Sequence, residues 1–150
     1  MAQSRPHFSA LLVAALLAPV LASCAPGGTD IADPKALNPK QEKLLVKQLG
    51  DKVAGAPVSC LSNTSAHETI RVSDNILLYR SGSRLVYRND LKNSCPGLAR
   101  DSDIMVVRQF GSQTCSGDFF HLVDRSSGIR GPTCVFGDFV PYRKPAGDKG

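Results

Sequence analysis

Residues 68–90 read ETIRVSDNILLYRSGSRLVYRND and decide the fold. Three runs within this stretch, at 68–72, 76–80 and 84–89, are separated by the turn formers Ser-Asp-Asn and Ser-Gly-Ser. Alternation of apolar and polar side chains in the first and third runs is the period-two pattern of strands, and short polar turns join antiparallel neighbours. The stretch therefore predicts a three-stranded antiparallel meander.

Four further segments have the composition of strands. Residues 58–61 precede the meander, and residues 104–110, 119–123 and 133–140 follow it. Six or seven short strands with frequent turn residues are typical of a small barrel or sandwich. We therefore expect a mainly β fold, a small disulfide-closed antiparallel barrel or sandwich with one short N-terminal helix.

The helix is predicted at residues 39–50. Asn38 is a suitable N-cap, proline suits the first helical position, and Gln41 stands three residues after the cap. Gly50 is a suitable stop. Leucines on one face would dock the helix on the β domain, although the same face is also typical of an amphipathic helix that binds a partner. The leucines are Leu44, Leu45 and Leu49.

The N-terminus has the layout of an export signal, with Arg5 before an apolar core at 8–21. This core is too short to span a bilayer, which needs about 20 apolar residues. The run Leu-Ala-Ser-Cys that ends at Cys24 resembles the bacterial lipobox, and this resemblance implies that Cys24 carries the lipid anchor. The alternative is ordinary cleavage nearby, for instance after Ala22, which would leave a free thiol.

Location follows from the same resemblance. Ala25 stands where an aspartate typically retains a lipoprotein at the inner membrane, so we expect a lipid-anchored protein of the outer membrane that faces the periplasm. Display on the outer leaflet remains open. The predicted organisation is, in order, a signal peptide at 1–23, a flexible tether at 24–38, a helix at 39–50, a β domain at 56–142 and a disordered tail at 143–150.

Charge limits the choice of partners. Of the 18 Lys and Arg residues only Arg5 lies in the signal, so 17 basic residues face 13 acidic ones in the mature chain. The basic residues are scattered and are not interleaved with aromatic ones, which argues against nucleic acid as a partner. We expect contact with the membrane through the lipid anchor, together with an envelope protein or a small ligand.

The remaining cysteines are Cys60, Cys95, Cys115 and Cys134. An even number in an exported domain predicts two disulfides. Zinc sites bring cysteines in close pairs, whereas these lie tens of residues apart, so we expect no metal site and no cofactor. Three pairings are open. We favour Cys95–Cys115 inside Cys60–Cys134, because Cys60 and Cys134 flank the strand-rich region.

A further set of segments contains the Cys-Pro-Gly-Leu and Gly-Asp motifs, namely 60–61, Asp74, 87–91, 95–98, 115–118 and 134–141. In these segments the chain resembles a family of small proteobacterial envelope proteins classed as a domain of unknown function. This family has no assigned activity, so the resemblance implies class and location only.

An acid–base group can be drawn around His121, which lies between Asp118 and Asp124. In a strand, however, His121 would share its face with Phe119 and Val123, which favours a half-buried structural histidine. Asp118 fits a turn that leads into a strand, where it would accept backbone hydrogen bonds. We therefore expect no catalytic residue, and a small hydrolase-like enzyme remains an alternative.

Two more patterns are weaker. Asp101 and Asp103 flank Ser102, but one acidic pair lacks the further oxygen ligands of a calcium loop. Ser81-Gly82 followed by Tyr87 resembles the loop that lysozyme-inhibitor lipoproteins insert into their target, although the tyrosine stands two residues too far along. The main expectation is a non-catalytic binding or structural role, with an enzyme inhibitor as an alternative.

Overall fold

The computed structural model describes residues 36–63, 67–109 and 111–147. The predicted signal, Cys24, most of the tether, Phe110 and the last three residues lie outside this part. No helix among the described residues meets the length and hydropathy of a membrane span. The elements are α1 (Pro39–Leu49), β1 (Val53–Ala54), β2 (Cys60–Ser62), β3 (Glu68–Ser73), β4 (Ile76–Ser81), β5 (Leu85–Asp90), β6 (Asp103–Arg108), β7 (Gln113–Cys115), β8 (Phe119–Asp124), β9 (Arg130–Val135) and β10 (Phe139–Arg143).

The strands form one large antiparallel sheet and a second layer. The large sheet has the order β1-β10-β5-β4-β3, and the second layer consists of the three-stranded sheet β6-β8-β9 and the pair β2-β7. The predicted meander is confirmed as β3, β4 and β5, with Tyr79 opposite Tyr87 in the register. The mainly β prediction is confirmed, and the architecture is a sandwich rather than a closed barrel.

Strand β4 is buried on both faces. Leu77 and Tyr79 join the core between the sheets, while Ile76 and Leu78 join a second core on the other face. Because side chains alternate along a strand, one strand can belong to two cores. The leucine stripe of α1 packs on this second face, as predicted. The helix-side core contains Leu49, Val72 and Val86, with Leu44 and Leu45 against it.

The ends of α1 follow from its sequence. Asn38 accepts hydrogen bonds from the backbone N–H groups of Lys40 and Gln41, and the Gln41 side chain accepts from the Asn38 N–H, so the capping box is present. The helix ends at Leu49, one residue before the predicted bound. Gly50 keeps a right-handed φ of −61° and donates its N–H to the carbonyl of Val46 at 2.8 Å.

The prediction of one last strand at 133–140 is wrong. The chain forms β9 in the three-stranded sheet and β10 in the large sheet, and residues 136–138 cross between them. Buried Asn89 fixes the crossing, because its side chain donates to the Gly137 carbonyl at 2.7 Å and accepts from the Gly137 N–H at 3.3 Å. A Cβ on Gly137 would lie 2.1 Å from the Asp90 carbonyl oxygen, so only glycine fits there.

Both disulfides form, but the favoured pairing is wrong. The bonds are Cys60–Cys115 and Cys95–Cys134. Cys60 and Cys115 are opposite each other in the β2-β7 ladder, with their Cα atoms 4.0 Å apart. Cys95 and Cys134 are fully buried in the core between the sheets.

The error has a topological cause. The first and last segments of the β domain do meet, since Val58 forms a bridge with Phe139. Beyond this bridge the two cysteines diverge, because Cys60 continues into β2 while Cys134 lies in β9 of the three-stranded sheet. Proximity of the chain ends therefore does not bring Cys60 and Cys134 together.

The β region also extends past its predicted bounds of 56 and 142. Strand β1 precedes residue 56 and pairs with β10, and Arg143 is the last residue of β10. The Lys144 N–H donates to the Arg84 carbonyl at 3.0 Å. The predicted tail at 143–150 therefore begins with two residues that are held by the sheet.

Candidate functional site

A cleft lies between the edges of the two sheets. Strand β3 is the edge of the large sheet and β6 is the edge of the three-stranded sheet, and no described residue adds a strand to either one. Arg71 of β3 joins the two edges at one end, because its Nη1 donates to the carbonyls of Arg100 and Asp103, both at 2.9 Å. Beyond this brace the edges leave a cavity.

The cavity has a volume of about 340 Å³. At about 30 Å³ for each water molecule, it is several times too large for a single ordered water. The volume lies at the lower end of the range of about 300–1,000 Å³ that is typical of small-molecule sites. Apolar side chains from both layers line it, namely Leu61, Tyr79, Met105 and Val107.

Polar side chains form the second part of the lining. Gln109 donates through Nε2 to the Thr114 hydroxyl at 2.8 Å, and this hydroxyl donates to Asn63 Oδ1 at 3.1 Å. This chain of hydrogen bonds fixes the amide orientations. Within the described residues it leaves the Asn63 N–H groups and the Gln109 carbonyl oxygen for other partners.

Tyr79 contributes a phenol hydroxyl to the lining of the cavity. Its side chain is 9% exposed and its ring lies edge-on to Phe139, with centroids 5.8 Å apart. Burial raises the pKa of the phenol, so the hydroxyl stays neutral and can donate. None of the described residues forms a hydrogen bond with it, although buried phenols usually find a partner. This hydroxyl is therefore suited to bind a group that enters the cavity.

His67 stands where the cavity meets a shallower depression at the start of β3. Its Nε2 lies 3.2 Å from the Ser62 carbonyl oxygen, and its ring is edge-on to Tyr87 at 5.9 Å. The other nitrogen, Nδ1, is buried and has no partner among the described residues. In the same depression Glu68 pairs with Arg80, so charge there is already neutralised.

The residues of the inhibitor-like pattern lie on different elements. Ser81 ends β4 and Gly82, with φ at +67°, begins the turn to β5. Tyr87 lies in the middle of β5, where it is half-buried against His67. The tyrosine is therefore not on the loop that carries the serine and glycine.

The structure also separates the groups drawn around His121. His121 lies in β8 on the same face as Phe119 and Val123, as predicted, but it is only 7% exposed and therefore more deeply buried than expected. Because β8 is the central strand of its sheet, residues of both neighbouring strands flank His121, with Val106 and Thr133 opposite it in the register. No described residue forms a hydrogen bond with its Nδ1.

The two carboxylates near His121 in sequence have other roles. Asp118 accepts from the Cys115 N–H at 2.7 Å and therefore closes a turn, as predicted. Asp124 accepts from the N–H and hydroxyl groups of Ser126 and Ser127, and these hydrogen bonds lower the pKa of Asp124. Neither aspartate is positioned as the partner of a catalytic histidine.

Asp101 and Asp103 show no arrangement for a cation. Asp103 accepts from the Ser102 hydroxyl at 3.0 Å. Across the described ranges, no three His, Cys, Asp or Glu side chains are grouped closely enough to hold a metal ion.

Sequence reasoning missed the polar residues of the cavity. Asn63 and Gln109 follow the ends of β2 and β6, and Thr114 is the middle residue of the short strand β7. The Cys60–Cys115 bond places Leu61 opposite Thr114 in the same ladder, but the sequence alone does not identify this bond.

Comparison with protein-family models, with curated proteins and with solved structures finds no match to this chain. The resemblance to the envelope family therefore stays a prediction, as does the lipobox at Cys24.

Proposed function

We propose that this chain is a lipid-anchored lipoprotein of the outer membrane that faces the periplasm and binds a partner without catalysis. The lipobox sequence at Cys24 supports the anchor. The two disulfides support an oxidising compartment, because such bonds are rare in the reducing cytosol. The cleft between β3 and β6 is the binding region in this proposal.

One observation carries the binding role. The cavity combines apolar walls with a Tyr79 hydroxyl and with amide groups of Asn63 and Gln109 that have no hydrogen-bond partner among the residues described by the structure. A few convergent polar groups in an apolar cavity are typical of a site that orients a ligand. Among the described lining residues there is no carboxylate, serine or thiol. The lining also contains His67, whose Nε2 lies at the Ser62 carbonyl oxygen. Without a carboxylate, serine or thiol in the described lining to act with this histidine, the composition favours binding over acid–base or nucleophilic chemistry.

The anchor is tested with Cys24→Ser. The lipoprotein proposal predicts that this variant incorporates no labelled palmitate and either stays uncleaved or leaves the membrane fraction. Ala22→Ser serves as a matched control, since it changes a neighbouring residue and keeps the thiol. Normal processing and unchanged outer-membrane fractionation of Cys24→Ser would show that there is no lipid anchor.

The cleft is tested by photo-crosslinking in cells. A benzoylphenylalanine at Thr69, on the β3 edge of the cavity, is expected to give a discrete crosslinked species. The same group at Lys47, an exposed position of α1, serves as the control. Equal labelling from both positions, or none from Thr69, would contradict binding in the cleft.

A further inference from the structure

Strand β6 presents to the cleft backbone groups that are unpaired within the described part of the chain. The Asp124 N–H donates to the Ile129 carbonyl at 3.0 Å, so this residue of β8 faces β9 and not β6. The backbone N–H and C=O groups of its cross-strand neighbour Asp103 therefore point away from β8. The bond from Arg71 to the Asp103 carbonyl agrees with this direction. The direction of the backbone N–H and C=O groups alternates from residue to residue along an antiparallel strand. The N–H and C=O groups of Met105 and Val107 therefore also point away from β8.

We infer that the cleft accepts an extended polypeptide segment, which adds to β6 as a further strand. This inference rests on the proposed binding role of the cleft and names the class of partner. The segment would bond to the N–H and C=O groups of Met105 and Val107, which have no backbone partner among the described residues. Strand addition of this kind derives its affinity from main-chain hydrogen bonds and its specificity from pockets for alternate side chains.

Side-chain sites lie on both faces of such a strand. Side chains on the inner face would enter the cavity of about 340 Å³ and reach the Tyr79 hydroxyl. Side chains on the outer face would cover Ile104 and Val106, which are 45% and 38% exposed. A small molecule in the cavity would leave both the backbone groups and this outer pair uncovered. The two features together therefore favour an extended segment over a small ligand.

Charge defines the segment further. Arg108 and Arg130 lie on the outer face beside His121. Burial is the main cause of the lowered pKa of His121, and the charges of Arg130 and Arg108 lower this pKa further. Both are exposed, and neither forms an ion pair with any described residue. An acidic side chain on the outer face of the added strand would neutralise Arg108. The predicted partner segment is therefore apolar at alternate positions and carries a carboxylate near its end.

The inference is tested with the full-length protein in lipid nanodiscs. A phage-displayed library is randomised over six residues, the length of β6, and the strongest binder is synthesised as a peptide. N-methylation of the alternate nitrogens that face β6 is expected to weaken binding about tenfold or more, because the hydrogen bonds to the Met105 and Val107 carbonyls are lost. N-methylation of the other nitrogens serves as the control. Amide exchange at Met105 and Val107 is expected to slow in the complex.

Two protein variants complete the test. Val107→Pro removes one edge N–H and is expected to weaken binding of the peptide about fivefold. Because that variant can fail to fold, Arg108→Glu is measured as well, against Arg125→Glu, which makes the same charge change in the exposed β8-β9 turn. Only Arg108→Glu is expected to lower affinity and to reverse the preference for acidic peptides.

Three results would overturn the inference. These are no peptide with a Kd below about 100 μM, equal binding of all methylated forms, or self-association of the chain through β6 in sedimentation experiments. If the Thr69 crosslink persists while peptides fail, the cleft binds a partner of another class. If the crosslink is also lost, the proposed function itself is wrong.

Discussion

The two sides of the sandwich differ in how completely their polar groups are paired. On the closed side, where residues 136–138 cross between the sheets, buried Asn89 bonds to both backbone groups of Gly137. On the open side, at the cleft, the Tyr79 hydroxyl and the edge of β6 have no partner within the described residues. These groups keep hydrogen-bonding capacity that a ligand could use, so the open side is where a ligand has the most to contribute.

The largest effect is expected from breaking the closed side at its disulfide. Cys95→Ala with Cys134→Ala removes a crosslink over a sequence separation of 39. Loss of this constraint on the unfolded chain is expected to lower the free energy of unfolding by about 4 kcal/mol. Urea titration under oxidising conditions measures this change in the free energy of unfolding. A cost below about 1 kcal/mol would mean that the closed side does not depend on this bond.

A matched pair of substitutions compares the two sides directly. Asn89→Leu leaves the buried N–H and C=O of Gly137 unpaired and is expected to cost about 2–4 kcal/mol. Tyr79→Phe removes a hydroxyl that has no described partner, so its expected cost is below about 0.5 kcal/mol. Chemical denaturation of both variants provides the comparison. Equal costs would contradict the distinction between a paired side and an unpaired side.

The helix offers a smaller test, on the outer face of the large sheet. Leu49 is buried in the helix-side core, while Val46 is 69% exposed. Leu49→Ala is expected to cost about 2 kcal/mol and Val46→Ala less than about 0.5 kcal/mol, as measured by thermal or urea unfolding. Similar values for both would show that α1 contributes little to the fold.

These elements also show how far the sequence could lead. The meander, the capping box at Asn38 and the leucine stripe were predictable, because each depends on neighbours within a few residues. The crossing at Gly137 was not predicted, because residues 133–140 were treated as one strand despite Gly137-Asp138, and the contacts of Gly137 with Asn89 and Asp90 come from distant sequence. The disulfide pairing failed because it depends on β7, which is too short to show alternation.

The candidate site was less predictable than the fold. The cavity brings together residues from five strands and their ends, and each of them is unremarkable in its own segment. Tyr79 belongs to the core between the sheets, and the lack of a described partner for its hydroxyl is a property of the packing. The unpaired edge of β6 likewise depends on which strands are neighbours, and a single sequence does not reveal this order.

The smallest expected effect concerns pH. Burial, followed by the charges of Arg130 and Arg108, lowers the pKa of His121 in the folded protein. The unfolded chain therefore binds this proton first, so stability falls as the pH drops below about 6.5 towards the folded pKa. His121→Gln is expected to flatten this dependence, as measured by urea midpoints at several pH values. If the urea midpoint of His121→Gln keeps the same dependence on pH, a group other than His121 is responsible for this dependence.

Hydrogen exchange of the free protein tests the open edge of β6 most directly. The account predicts that the amides of Met105 and Val107 exchange rapidly, because they face the cleft, while the amides of Ile104 and Val106 are protected by β8. Alternating protection along these four residues would establish an edge that is free to accept a strand. Uniform protection would show that the edge is already paired, and it would contradict both the cleft and the partner inferred for it.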